Sequence, residues 1–229
     1  MNTPAQDMNG SALVATIARR MLIGALVLGA LCVLSGCEAR RDRYRVTITV
    51  DVNHTIYSGS SVQEFHCHQG GGVWGSMDVS QCNIAGEAVF VDLKNHGNLF
   101  LLFKGNHGDM SSAVEDMFIP RNNSAGAKTS GKWSVPVGAA PMMVTFKNPR
   151  DPLSVEKVDP SNLKDTLGPG VSIQSIVIEK SNEPITQGNL YKALPWLKGI
   201  GRNQIDGKSI RNTNNLSNIL QKSDFVFGE

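Results

Sequence analysis

Apolar and polar residues alternate along residues 44–52, and this alternation constrains the fold more than any other feature of the chain. In "YRVTITVDV" one face carries Tyr, Val and Ile, and the other carries Arg, Thr and Asp. A repeat of two residues is typical of a strand with one buried face. Four further apolar runs predict strands at 86–93, 98–104, 142–147 and 171–180, with "KNHG" as a hairpin turn between the first two.

Helix signals are short by comparison. "DPSNLKDTLG" at 159–168 contains a capping Asp, a proline at the first helical position and a terminating glycine. The sequence therefore predicts a mostly β domain, either a β-sandwich or an open β-barrel, with a few short helices.

An apolar segment precedes this domain and ends at a cysteine. Residues 21–36 carry no charge and follow Arg19 and Arg20. A basic region before about 7–15 apolar residues is typical of an export signal, whereas a transmembrane helix needs about 20. We therefore expect residues 1–36 to be a signal peptide that is cleaved. An uncleaved signal anchor is the alternative, and the arginines that follow the segment favour it because basic residues prefer the cytoplasmic side.

The end of the segment, "LSGC" at 34–37, resembles the lipobox of bacterial lipoproteins. This resemblance implies that Cys37 is lipidated with palmitate or similar chains and that the mature chain starts there. Each acyl CH₂ buried in a bilayer contributes roughly 0.8 kcal/mol, so several chains anchor a protein firmly. Glu38 stands where an Asp would imply retention at the inner membrane. The expected location is thus the cell envelope, anchored to the outer membrane and facing the periplasm, with residues 37–43 as a lipidated N-terminus and short basic tether.

Two cysteines remain in the exported domain, Cys67 and Cys82. An even number of cysteines in an oxidising compartment indicates a disulfide. A loop of about 15 residues closed by such a bond contributes roughly 3 kcal/mol in the chain-entropy model. Because the intervening residues are rich in glycine, we expect a disulfide bond to stabilise this loop.

Two histidines flank the first of these cysteines. On a strand, His66 and His68 would project to one face, and a pair of imidazoles can bind copper or zinc when further ligands are added. "FHCH" also resembles the copper-ligand stretch of copper/zinc superoxide dismutases, although the zinc-ligand cluster of that family is absent. The alternative to a metal site is a pair of surface histidines beside a disulfide.

Charge and motifs argue against several functional classes. Without Arg19, Arg20 and Asp7 the mature chain keeps 20 basic and 19 acidic residues, so no strongly basic field is present for nucleic acid. No Gly-x-Ser-x-Gly frame and no strand–glycine–helix phosphate loop occur. The sequence thus contains no recognisable catalytic set, no cofactor motif beyond the weak copper or zinc alternative, and it favours a protein without catalysis.

The domain as a whole resembles a family of uncharacterised proteobacterial envelope proteins. The resemblance rests on "RYRVTITV", "GEAVFVDL" and the stretch from "VTFKNPRDPLSVEKVDP" to "LPWL", and it covers most of 43–198. It implies a β-rich domain at 44–198 and a polar, partly disordered C-terminal tail at 199–229.

Two tryptophans in polar loops, Trp74 and Trp133, are candidate interface residues, because exposed tryptophans often anchor partners. The leading hypothesis is a lipid-anchored, periplasm-facing binding or structural module whose partner is a protein or glycan of the envelope. The alternative is an envelope metalloprotein, with or without redox activity, built on His66 and His68.

Overall fold

The computed structural model describes residues 41–69, 80–105, 131–209 and 215–228, which belong to one compact unit. Of Arg41 and residues 66–69 and 80–83 it describes the backbone only. Ten strands lie in these ranges: β1 (Arg41–Val52), β2 (Thr55–Gln69), β3 (Ser80–Glu87), β4 (Val89–Asp92), β5 (Asn98–Leu101), β6 (Lys132–Ser134), β7 (Met143–Phe146), β8 (Val155–Val158), β9 (Val171–Lys180) and β10 (Val226–Phe227).

The strands form two antiparallel sheets. One has six strands in the order β10-β3-β2-β1-β9-β6, and the other has four in the order β4-β5-β7-β8. The α-helices of the described ranges are single turns, namely α1 (Lys164–Leu167), α2 (Leu190–Ala193) and α3 (Leu216–Ile219). Short 3-10 turns occur at 94–96, 137–139, 152–154, 195–198 and 222–224. The predicted mostly β fold is confirmed, in the form of a sandwich with a few short helices.

The first core lies between the two sheets. The alternating face of β1 is fully buried there, as its sequence predicted: Val46, Ile48 and Val50 are 0 % exposed. These side chains share one cluster with residues from the second sheet and from β9, including Val91, Leu99, Leu101, Met143, Ile176 and Ile178.

A second core covers the outer face of the four-stranded sheet. Phe100 and Phe146 point away from the first core and pack with Leu190, Leu194 and Phe225. The C-terminal segment therefore forms a third layer over β5 and β7, and this explains why "LFLLF" at 99–103 is apolar at every position rather than at every second one.

This third layer corrects the predicted tail. The boundary expected at residue 198 falls inside the folded unit, because Phe225 is 0 % exposed and β10 pairs with Gly86 and Glu87. The tail looks polar in sequence because the few apolar residues that it buries are separated by Asn, Ser and Gly.

The N-terminal strands also differ from the prediction. β1 begins at Arg41, so three residues of the predicted tether already pair with β2. β2 has fifteen residues and was missed, because "SGSSVQ" carries no apolar alternation. The two strands are joined at Asn53 and His54, which have φ values of 51° and 69°, as a two-residue turn with two left-handed positions requires.

The two sheets meet closely where β2 crosses β4. A Cβ at Gly59 would lie 1.9 Å from the carbonyl oxygen of Phe90. Because real Cβ atoms do not approach a backbone oxygen so closely, only glycine permits this contact without movement of one of the strands.

We expect Gly59→Ala to destabilise the domain by about 1–3 kcal/mol or to prevent folding, since a backbone atom must move to admit the methyl group. The matched control is Gly138→Ala, where the added Cβ meets nothing within 4 Å, and we expect a change within about 0.5 kcal/mol. Urea unfolding of the two variants measures the difference, and equal midpoints would contradict the described contact.

A second prediction concerns the third layer. Phe225→Ala should lower the free energy of unfolding by about 3–5 kcal/mol, because it leaves a cavity in the second core. The control is Asn203→Ala, an exposed position of the same C-terminal segment. If both variants unfold at the wild-type temperature, residues 215–228 do not belong to the cooperative unit.

Candidate functional site

The strand register brings several predicted site residues to one end of the six-stranded sheet. Arg41, where β1 begins, pairs with His66 of β2, which in turn pairs with Asn83 of β3. On the other side of β1, Arg45 pairs with Glu179 of β9, and Glu179 pairs with Lys132 at the start of β6. We call this the β1-start edge, and the chain enters or leaves the described ranges here at residues 41, 69, 80 and 131.

The two cysteines are cross-strand partners at this edge. The register of β2 and β3 pairs Cys67 with Cys82 directly. Directly opposed residues of antiparallel strands have Cα atoms about 4.5–5.5 Å apart, which lies within the range that a disulfide spans. The side chains of both cysteines lie outside the description, so the disulfide stays a prediction that the backbone pairing accommodates.

The histidine pair occupies neighbouring register positions, with His66 opposite Asn83 and His68 opposite Gln81. Neither register partner is a preferred metal ligand. Among the residues whose side chains are described, no group of three or more His, Cys, Asp or Glu side chains is placed to hold a metal ion.

Trp133 lies in β6 rather than in the loop that its sequence context predicted. It pairs with Ile178, is half-buried against the first core, and contacts Tyr44 edge-on with 5.5 Å between ring centroids. Tyr44 in turn packs edge-on against Phe65 at 5.7 Å. Trp133 therefore extends an aromatic row across the β1-start edge. The other interface candidate, Trp74, and the predicted lipidation site, Cys37, lie outside the described residues.

Ion pairs neutralise most of the charge at this edge. Arg43 Nε lies 2.6 Å from Glu64 Oε2, and Arg45 contacts Glu183. Two lysine pairs complete the set: Lys180 with Asp42 at 3.1 Å and Lys132 with Glu179 at 3.3 Å. Because Arg43 pairs with Glu64 within the domain, this arginine of the predicted basic tether at 37–43 belongs to the folded sheet.

A second feature was missed by sequence reasoning: the buried carboxylate of Glu87 at the end of β3. Its side chain accepts hydrogen bonds from the backbone N–H groups of Gly188, Asn189 and Leu190, at 2.5, 3.1 and 3.2 Å. Its own carbonyl oxygen accepts from Ser61 Oγ at 2.6 Å. Glu87 is 1 % exposed. It therefore fastens the start of the third layer to the six-stranded sheet, a positioning role with no free carboxylate oxygen for chemistry.

A shallow cleft of about 470 Å³ lies beside Glu87, between β2, β4 and residues 186–193. Two of its polar side chains accept hydrogen bonds within the protein: Ser60 Oγ accepts from Arg45, and Thr186 Oγ1 accepts from the backbone N–H of Val62. No histidine or cysteine occurs among the described lining residues of this cleft.

Asp92, at the edge of the same cleft, has a pKa that is clearly shifted from its ordinary value. The side-chain hydrogen bond from Lys94, 2.7 Å long, holds the pKa of Asp92 below its ordinary value, and a backbone hydrogen bond from Lys94 adds to the effect. Asp92 is therefore ionised at neutral pH and paired with a neighbouring cation. This arrangement suits a surface turn better than a proton-transfer site.

Comparison with known proteins gives no assignment: no protein family model, no characterised protein and no solved structure matches this chain. Among the described residues, no helix has the length and apolar character required to cross a membrane.

We expect Glu87→Gln to destabilise the domain by about 2–3 kcal/mol, because an amide cannot accept from all three backbone N–H groups and leaves buried donors unsatisfied. The matched control is Glu156→Gln, which removes an exposed ion pair with Lys147 and should change stability by less than about 1 kcal/mol. Thermal unfolding compares the two variants, and an equal loss of stability in both would show that the Glu87 contacts are not formed.

Proposed function

We propose that this protein is a lipid-anchored component of the cell envelope that faces the periplasm and binds another envelope component without catalysing a reaction. The proposal rests first on the leader and the "LSGC" motif. It rests second on the absence of a catalytic arrangement among the described side chains. The observation that supports it best is the start of β1 at Arg41, because only residues 38–40 separate this strand from Cys37.

The distance between anchor and domain is short. Four peptide steps separate Cys37 from Arg41, where β1 begins, and they span at most about 14 Å. With acyl chains on Cys37, the β1-start edge would lie at the membrane surface. β1 extends over twelve residues, so the turn at Asn53 and His54 would lie about 36 Å farther along the strand.

This geometry supports a partner that meets the domain close to the membrane. The β1-start edge carries Trp133 and the aromatic row beside it. Residues 69 and 80, which flank the segment that contains Trp74, both lie at this edge. Half-buried aromatic rings with a polar rim are typical of the central part of a protein interface. A disulfide between Cys67 and Cys82 would hold the two strands that flank this segment together.

Crosslinking in intact cells tests the binding proposal. A photoreactive amino acid at Lys132, which is exposed next to Trp133, should give a defined adduct with an envelope protein or glycan. The same residue at Lys164, on α1, is the control and should give no such adduct. Adducts of equal yield from both positions, or none from Lys132, would contradict the proposal.

The disulfide has a direct test, because no Lys or Arg lies between Arg45 and Lys94. Trypsin therefore releases Cys67 and Cys82 in one peptide, residues 46–94. For protein taken from cells and alkylated without reductant, we expect this peptide to lack two hydrogens and to carry no alkyl group. In the Cys82→Ser control, Cys67 should become alkylated. Alkylation of both cysteines in the wild-type peptide would rule out the bond.

A further inference from the structure

Among the described residues, the excess of basic over acidic side chains is confined to the C-terminal segment. Three other described ranges hold equal numbers of basic and acidic residues. There are three of each in residues 41–69, two of each in 80–105 and six of each in 131–189. Residues 190–209 and 215–228 hold two acidic residues and five basic ones. The basic residues are Lys192, Lys198, Arg202, Lys208 and Lys222.

Both acidic residues of this segment are turned inward. The side chain of Asp206 is 3 % exposed and accepts a hydrogen bond from Asn218 Nδ2 at 2.8 Å. Asp224 is also buried, with 8 % of its side chain exposed, and lies 3.5 Å from the ammonium group of Lys104. The carboxylates therefore stabilise the third layer from within, and its outer surface presents cations.

The lysines and arginine on this surface differ from the basic residues of the β1-start edge. Lys192, Lys198 and Arg202 are exposed, and no ion pair is found for them within the described ranges. By contrast, Arg43 and Arg45 are paired with carboxylates. The electrostatic field is consequently positive at the surface of the third layer and nearly neutral at the β1-start edge.

The ring of Tyr191 lies close to two of these cations. The ammonium groups of Lys198 and Lys222 lie 5.8 and 5.2 Å from the centroid of its ring, within the range of cation–π attraction. The ring itself packs against the second core. We define the Tyr191 face as Tyr191, Lys192, Lys198, Arg202 and Lys222.

We propose that the Tyr191 face docks onto the acidic headgroups of the phospholipid bilayer to which the chain is anchored. This inference rests on the proposed function, because the anchor supplies the bilayer. Each Lys or Arg near an acidic membrane surface contributes about 1 kcal/mol, and a tyrosine ring is favoured at the interface. A lipid anchor combined with a basic surface holds a domain more firmly than either one alone.

This face follows a segment of the chain that lies near the β1-start edge. The segment that leads to it runs beside β2, where the backbone N–H of Thr186 donates to the carbonyl of Val62. Val62 lies four residues from His66, the partner of Arg41, which is about 13 Å along the strand. A tether of about 14 Å allows the flank of the domain to lie on the bilayer.

Lysine footprinting tests this proposal with the full chain in vesicles of phosphatidylcholine, with and without phosphatidylglycerol. An amine-reactive acetylating reagent is applied, and the labelling of each lysine is read by mass spectrometry. We expect the labelling of Lys198 and Lys222 to fall about fivefold when phosphatidylglycerol is present. Lys164, which is exposed on α1, serves as the reference and should not change. High salt should restore the labelling, because it screens the attraction.

Two charge-reversal variants sharpen the test. Lys198→Glu with Lys222→Glu should abolish the protection of Lys192 by phosphatidylglycerol. Lys157→Glu with Lys164→Glu changes the net charge equally at two other exposed lysines and should leave that protection intact. Equal labelling in both kinds of vesicle would overturn the proposal, as would protection produced by an acidic protein or polysaccharide but not by the vesicles.

This result does not depend on acylation. The bulk attachment of the full chain to vesicles would come either from acyl groups or from the apolar residues 21–36. A chain that is not lipidated but shows lipid-dependent protection would therefore remove the anchor and keep the docking face.

Discussion

The backbone of β5 and β7 is buried on both faces, and every other layer of the domain is arranged around this condition. Phe100 stacks on Phe90 with centroids 4.9 Å apart and meets Phe146 edge-on at 5.5 Å, on the face opposite the first core. Such a surface cannot face water, so the C-terminal segment must cover it. Glu87 fixes the start of this cover, and the buried pair of Lys104 and Asp224 fixes its end. Residues 190–209 and 215–228 are therefore integral to the fold.

The same arrangement gives the β1-start edge and the third layer surfaces of different charge. The β1-start edge is made by strand register, and its charges are paired among themselves. In the third layer, the few apolar side chains and the carboxylates of Asp206 and Asp224 point into the protein. The cationic side chains of this layer lie on its outer surface. If the proposed anchor holds the β1-start edge at a membrane, the cations of the third layer are available to acidic lipid and the aromatic row is available to a partner.

Sequence patterns predicted the elements that follow a simple period. The alternation in β1 and the apolar runs of β4, β5, β7 and β9 identified five strands and the sandwich class. β2 could not be predicted because residues 58–61 are Ser and Gly and show no apolar alternation. Gly59 has a low propensity for strands, but its lack of a Cβ permits the close contact with Phe90. The third layer was not predicted, although the sequence around β5 indicates it. A run that is apolar at every position requires cover on both faces of the sheet.

The candidate site was predictable only as a set of residue types. Spacing within the chain suggested that Cys67 and Cys82 could join, but their direct pairing follows from the register of β2 and β3. Glu87 carried no signal at all, because a single carboxylate at the end of a strand acquires its role from backbone N–H groups a hundred residues away. The basic excess of the C-terminal segment is visible in sequence, but the inward direction of its two acids is not.

The central claim is that the chain is held to a bilayer at Cys37, next to the strand that opens the sandwich. Mass spectrometry of the N-terminal peptide from protein extracted with membranes tests this most directly. The account predicts a chain that begins at Cys37 and carries fatty acyl groups on that residue. A peptide that retains residues 1–36, or one with an unmodified Cys37, would contradict it.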